Sequence, residues 1–202
     1  MSKDVGFSIF AEEEDEFFAK WRKWRDGLFK PIVQLLARYG VTAWHLSFVG
    51  LIMVVPFIFF FKFNPWLAFF FLLLNVFFDG IDGPLARIKG SVSVSGELTD
   101  LACDQLSFLI VFMTFLYYQL VGSFWGALYI VNYFLMLAMV IYCRLNKIRF
   151  FPVLRTKYVI YLVFLLWILT GVNFFDTVIV FFTVYMVLTN YFLFQKIRCS
   201  LQ

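Results

Sequence analysis

Residues 79–104 read DGIDGPLARIKGSVSVSGELTDLACD, a polar stretch set between long apolar runs. Asp79 and Asp82 are three positions apart, and Asp100 and Asp104 four, so on helices each pair projects from one face. Two such faces brought together make a pocket of four carboxylates. Like charges gathered beside apolar spans are costly unless cations neutralise them, and hard divalent ions such as Mg²⁺ take oxygen ligands. A metal site is the leading physical reading. Between the acids, Gly80, Gly83 and Gly96 leave the backbone open to close approach, and Arg87 offers a planar fork to phosphate oxygens. Metal, arginine and glycine together suit a pyrophosphate-sized anion. A solvated loop between helices is the plain alternative, but ionisable residues seldom cluster beside apolar spans without function.

Outward from this stretch the chain is apolar. Of its 202 residues 63% are hydrophobic and 23% aromatic, too much apolar surface for a soluble domain of that length. Spanning helices need about 20 apolar residues, and spans are expected near residues 40–63, 65–78, 96–120, 123–142, 158–169 and 175–194. The expected fold is therefore all-α, a polytopic membrane protein of six transmembrane helices, with residues 1–39 as an amphipathic juxtamembrane segment and 40–202 as the membrane domain. In the former, Phe17, Trp21, Trp24, Leu28 and Ile32 form a helical stripe edged with bases, suited to a membrane interface. Packing on a partner protein is the competing use. Pro31 is expected to divide this segment into two pieces, and Pro84 to splay the chain after Asp82. Residues 89–95, with Gly90 and three serines, read as a loop. The N-terminus is acidic and amphipathic, without the pattern of a cleavable signal peptide.

Charge supplies the orientation. Every lysine and arginine except Lys62 falls in the N-terminal segment, the 82–96 loop, the 144–157 segment or the tail, which lie on one side in a six-span chain. Positive charge favours the cytoplasmic face, so the acidic stretch is expected to open there. The same distribution is a topology signal and no nucleic-acid footprint. Cys103, Cys143 and Cys199 are expected as free thiols, with Cys103 a small packing residue. His45 is the sole histidine, which leaves a transition-metal site little support; Thr42 before it is a plausible helix N-cap.

In full, the stretch places Asp79, Asp82, Gly83, Ala86, Arg87, Gly96, Asp100 and Asp104 in the order D-x-x-D-G-x-x-A-R, eight residues, G, three residues, D, three residues, D. It resembles the signature of the CDP-alcohol phosphotransferase (CDP-alcohol phosphatidyltransferase) family at every fixed position. VTAWHLSFVGL, residues 41–51, resembles the segment that precedes the first span there and helps to line the nucleotide site. The resemblance implies transfer of a substituted phosphate, such as phosphatidyl, from a CDP-alcohol donor such as CDP-diacylglycerol to the hydroxyl of an alcohol acceptor, releasing CMP in phospholipid biosynthesis. By the same resemblance Asp79, Asp82 and Asp100 are metal ligands for two Mg²⁺ or Mn²⁺ ions, and Asp104 is general base, with a share in the metal left open. Gly83, Ala86, Arg87 and Gly96 then serve substrate binding, and a homodimer among membrane lipids is implied. Gln105 stands where members using phosphorylated polyols often carry a base, while the basic 144–157 segment pulls the other way. GELTDLACDQLS is partly like the choline and ethanolamine phosphotransferase branch, which leaves a diacylglycerol-like acceptor as an alternative. From other classes, an ion transporter with an acidic site and a catalytically silent scaffold remain, although a transporter's acids normally lie near the midplane at broken helices.

Overall fold

The computed structural model describes residues 16–91, 93–146, 148, 150 and 153–201, with the side chains of 16–25 left out. These residues form eight helices and no strand: α1 Glu16–Arg38, α2 Ala43–Ile52, α3 Val54–Phe61, α4 Pro65–Ile88, α5 Val94–Tyr117, α6 Ser123–Leu145, α7 Thr156–Thr170 and α8 Phe175–Ser200. Among the described residues, five stretches are long and apolar enough to cross a membrane: α2 with α3, then α4, α5, α6 and α8. With 15 residues, α7 is shorter, about 22 Å at 1.5 Å per residue against a hydrocarbon core of about 30 Å. The chain is thus an all-α polytopic membrane protein. It divides into two compact units, Met1–Val111 and Phe112–Gln202, with α5 contributing to both.

In the first unit, α1 packs on α2 and α4 through Val33, which is fully buried with Leu46, Ile81 and Leu85. Phe29 meets Phe77 edge-on at 5.6 Å, adding an aromatic contact on the same face. Leu28, Ile32 and Leu35 remain exposed on another face. Leu28 and Ile32 belong to the stripe expected to meet lipid; Phe17, Trp21 and Trp24, its other members, have side chains outside the described residues. Pro31 does not divide α1, which runs through it as one helix. The contacts of Phe29 and Val33, one on either side of Pro31, hold the helix where the proline removes a backbone bond.

The first span contains a break that the sequence reading did not place. α2 and α3 meet at Met53 because Pro56 cannot donate to the carbonyl of Ile52, four residues earlier. Thr42 does cap α2: its N–H and hydroxyl lie 3.3 and 2.7 Å from His45 Nδ1, so His45 serves the helix end. Asn64 caps α4 by accepting the Leu67 N–H at 3.1 Å, ahead of Pro65 at the first helical position. Pro84 does not splay the chain either, since α4 continues to Ile88 with Pro84 and Leu85 buried against its neighbours. Gly90, at φ +61°, then stops it. Ser91 N–H reaches Ala86 O at 3.0 Å and Gly90 N–H reaches Arg87 O at 3.2 Å, the paired bonds of a Schellman ending. The loop is shorter than residues 89–95, because α5 begins at Val94 with Ser93 Oγ accepting the Gly96 N–H.

In the second unit, α6 and α7 each pack on α8. Phe115, fully buried, stacks obliquely on Phe164 at 5.2 Å and Phe175 at 4.9 Å. The turn before α6 is tied to the one before α8: Gly122 N–H donates to Asp176 Oδ1 at 2.7 Å, and Asn173 Nδ2 to Leu120 O at 2.9 Å. Gly171, in the left-handed region at φ +71°, closes α7 as its sequence position suggests. Phe115→Ala removes the ring shared by α5, α7 and α8, and is expected to cost about 3–5 kcal/mol of stability, read from denaturation in detergent.

Candidate active site

The four aspartates line one cleft within the first unit. Its α4 wall carries Asn75, Asp79 and Asp82, at spacings of four and three that keep them on one helix face. The α5 wall carries Asp100, Cys103, Asp104 and Ser107 by the same rule. Ser47 and Gly50 close the third side from α2. The paired spacing read from the sequence thus becomes two facing helix surfaces, α4 running toward the 89–93 loop and α5 away from it.

Asp82 is the deepest carboxylate, only 3% exposed, while Asp79, Asp100 and Asp104 are half-buried. Ser47 Oγ donates to Asp82 Oδ2 at 2.8 Å, and the Gly83 N–H to Asp82 Oδ1 at 2.6 Å. The Asp82 carboxyl also meets that of Asp100. Two carboxylates that meet in a buried wall need a cation or a shared proton between them. The all-oxygen donor set, with hydroxyl and amide groups nearby, has the chemistry of a hard divalent site. Among the described residues, no three carboxylate, cysteine or histidine side chains already stand together as a metal cage. Gln105 Nε2 donates to Asp104 Oδ2 at 3.1 Å, so the residue after the last aspartate fixes that carboxylate.

The other motif positions surround this cleft without lining it. Arg87 makes a forked pair with Asp26 of α1, Nε to Oδ2 at 3.1 Å and Nη2 to Oδ1 at 2.7 Å. Gly83 lies beneath the Arg87 guanidinium, where an added Cβ would come 3.5 Å from Nη1. Gly96 packs on the Ser93 hydroxyl, which an added Cβ would approach to 3.1 Å. Ala86 gives its carbonyl to the α4 ending. Lys89 Nζ donates to Val41 O at 2.6 Å, fastening the end of α4 to the turn between α1 and α2. Ser47, Asn75 and Ser107 were not singled out as site residues from the sequence. For Asn75 and Ser107 the signal was present in the spacing, four before Asp79 and three after Asp104, whereas Ser47 lies on another helix and no spacing marked it.

Apolar helices long enough to cross a membrane and a carboxylate cleft at facing helix ends define an integral membrane protein with an acidic site. The family model described as CDP-alcohol phosphatidyltransferase matches residues 41–194, and the chain belongs to that family. The protein is accordingly a membrane transferase that uses a CDP-alcohol donor and an alcohol acceptor. No curated protein and no solved structure is matched significantly.

Ser47→Ala leaves Asp82 without its hydroxyl donor. It is expected to lower stability by about 1–3 kcal/mol, the range for leaving a buried acceptor without its partner, while Ser47→Thr keeps the bond. Chemical denaturation of the two variants side by side checks this.

Proposed function

We propose that the protein transfers a phosphatidyl group from CDP-diacylglycerol to the hydroxyl of a second alcohol, releasing CMP, at the cleft between α2, α4 and α5. The observation that carries this reading is the gathering of Asp79, Asp82, Asp100 and Asp104 on one cleft in a chain of this family. The acceptor oxygen attacks the phosphorus of the substituted phosphoryl group, the bond to the CMP oxygen breaks, and CMP leaves with the bonding pair. Asp104 takes the acceptor's proton, a role that Gln105 supports by holding its carboxylate in place. Asp79, Asp82 and Asp100 would hold the divalent ions, Mg²⁺ or Mn²⁺, whose charge draws electron density from the pyrophosphate and stabilises the leaving CMP. Ser47 orients Asp82 for that duty. Gly83, Ala86, Arg87 and Gly96 form the donor side; Arg87 is anchored by Asp26 and supports the loop that receives the pyrophosphate.

With α7 read as a sixth crossing, the basic segments share one side, which supports a cleft open to the cytoplasm. Nucleotide-activated donors are found there. The same arrangement leaves exposed apolar helix faces for lipid and for a second copy of the chain. A choline- or ethanolamine-type transfer to a diacylglycerol-like acceptor is the second reading, favoured by the likeness of residues 96–107 to that branch.

The test uses purified protein in lipid nanodiscs. CDP-diacylglycerol is supplied with glycerol, glycerol 3-phosphate, inositol or serine, and CDP-choline or CDP-ethanolamine with diacylglycerol; CMP and the lipid product are identified. CMP release that stops when divalent ions are chelated is expected. Ion flux in proteoliposomes without turnover would replace the enzyme by a transporter. Two substitutions then separate the carboxylates' roles. Asp104→Asn is expected to keep donor affinity and lose about 10²- to 10⁴-fold in single-turnover rate, the usual worth of a general base. Asp100→Asn is expected to lose both, and equal loss of donor binding in the two variants would make Asp104 a metal ligand instead.

For sidedness, single cysteines at Ser93 and Asn64 in otherwise cysteine-free protein are compared in intact cells. An impermeant thiol reagent should reach position 64 from outside and position 93 only after the cytoplasmic face is opened. Labelling of position 93 from outside overturns the cytoplasmic cleft.

A further inference from the structure

The hydroxyl of Ser107 has no use within the described fold. Ser107 is 1% exposed, its Oγ has no hydrogen-bond partner, and it lines the carboxylate cleft. Four helical threonines return their hydroxyls to the carbonyl four residues back: Thr99 to Ser95 at 2.9 Å, Thr170 to Leu166 at 2.7 Å, Thr183 to Ile179 at 2.7 Å and Thr189 to Tyr185 at 2.9 Å. Ser107 does not do so. A buried polar atom without a partner costs free energy, and at the wall of a cleft a bound ligand can recover it.

Its position in the cleft bears on which ligand that is. Ser107 lies one helical turn past Asp104, and Asn75 one turn before Asp79, each on the side of the carboxylates away from the 89–93 loop. At about 1.5 Å per residue, this level is about 5 Å beyond the carboxylates. Asn75 is fixed there by donating its amide to Gly50 O at 2.9 Å, so the wall around Ser107 is built and polar. The donor-side residues Gly83, Ala86, Arg87 and Gly96 all lie on the opposite, loop side of the same carboxylates. In transfer at phosphorus, the attacking and leaving oxygens stand roughly in line, on opposite sides of the phosphorus. With CMP leaving toward the loop, the attacking oxygen arrives from the Ser107 side.

From this geometry we infer that Ser107 hydrogen-bonds the acceptor alcohol, holding its hydroxyl at the inner end of the cleft within reach of Asp104. The inference rests on the phosphotransferase reading and adds the acceptor's place and the residue that selects it. As the O–P bond forms and the P–O bond to CMP breaks, the acceptor's proton passes to Asp104. Ser107 only positions the oxygen and gives up no proton of its own.

Ser107→Ala and Ser107→Thr in nanodiscs test it, with CDP-alcohol and acceptor concentrations varied independently for each pair in the panel above. Ser107→Ala is expected to raise the acceptor KM about tenfold, the worth of one hydrogen bond, with the donor KM unchanged. Ser107→Thr, which keeps the hydroxyl, should restore the acceptor KM. Without acceptor, Ser107→Ala should melt at or above the wild-type temperature, because no internal bond is lost; a lower melting temperature would give the hydroxyl a structural partner and overturn the inference. An unchanged acceptor KM, or equal rises in both KM values, also overturns it, and leaves the phosphotransferase reading intact so long as wild type turns over. If wild type releases no CMP from any donor, that reading fails and the acceptor site falls with it.

Discussion

The first unit is arranged around keeping a carboxylate out of water. Asp82 is almost completely buried, and burial of an ionised carboxyl is costly unless its oxygens are satisfied. Ser47 from α2 and the Gly83 N–H each supply a short bond to it. The Ser47 bond requires α2 and α4 to lie close together, and at Gly50 they do: a Cβ there would meet Phe78 Cβ at 3.4 Å. Asn75 extends the same contact by one turn through Gly50 O. The packing of α2 on α4 and the shape of the cleft are thus one constraint viewed from two sides.

The juxtamembrane helix shares in this arrangement. A helix meant only for the membrane interface needs one apolar stripe, yet α1 has two uses. Leu28, Ile32 and Leu35 are exposed, whereas Phe29 and Val33 pack on the protein. Asp26 holds Arg87 in a fork, and Lys89 reaches back to Val41 O. Both basic residues at the end of α4 are therefore tethered to the segment before the first span. The Asp26 pair is partly exposed and contributes modestly to stability; its forked geometry fixes direction more than it adds energy. The last turn of α4 carries Arg87, so the tether fixes a motif residue next to the carboxylates.

Prolines separate what local rules decide from what packing decides. Pro56 breaks the first span at Met53, whereas Pro31 and Pro84 leave α1 and α4 continuous. All three lack the same N–H. Pro84 is buried with Leu85 against neighbouring helices, and Pro31 lies between two packed residues, so tertiary contacts hold those helices across the missing bond. No local signal distinguishes these outcomes, because each depends on what lies across from the proline.

The sequence by itself determined the all-helical membrane class, most span boundaries and the four carboxylates. Those features follow from apolar run length, from glycine and asparagine at helix ends, and from three- and four-residue spacing, all local quantities. Gly90 and Gly171 end helices because their backbone enters the left-handed region that favours glycine. Tertiary structure alone decided which helix closes the third side of the cleft and that Arg87 pairs with Asp26. It also decided that Ser47 holds Asp82 while Ser107 is left unpaired beside it. A hydroxyl's partner depends on distances between residues far apart in the chain, and helical periodicity fixes only the face on which that hydroxyl stands.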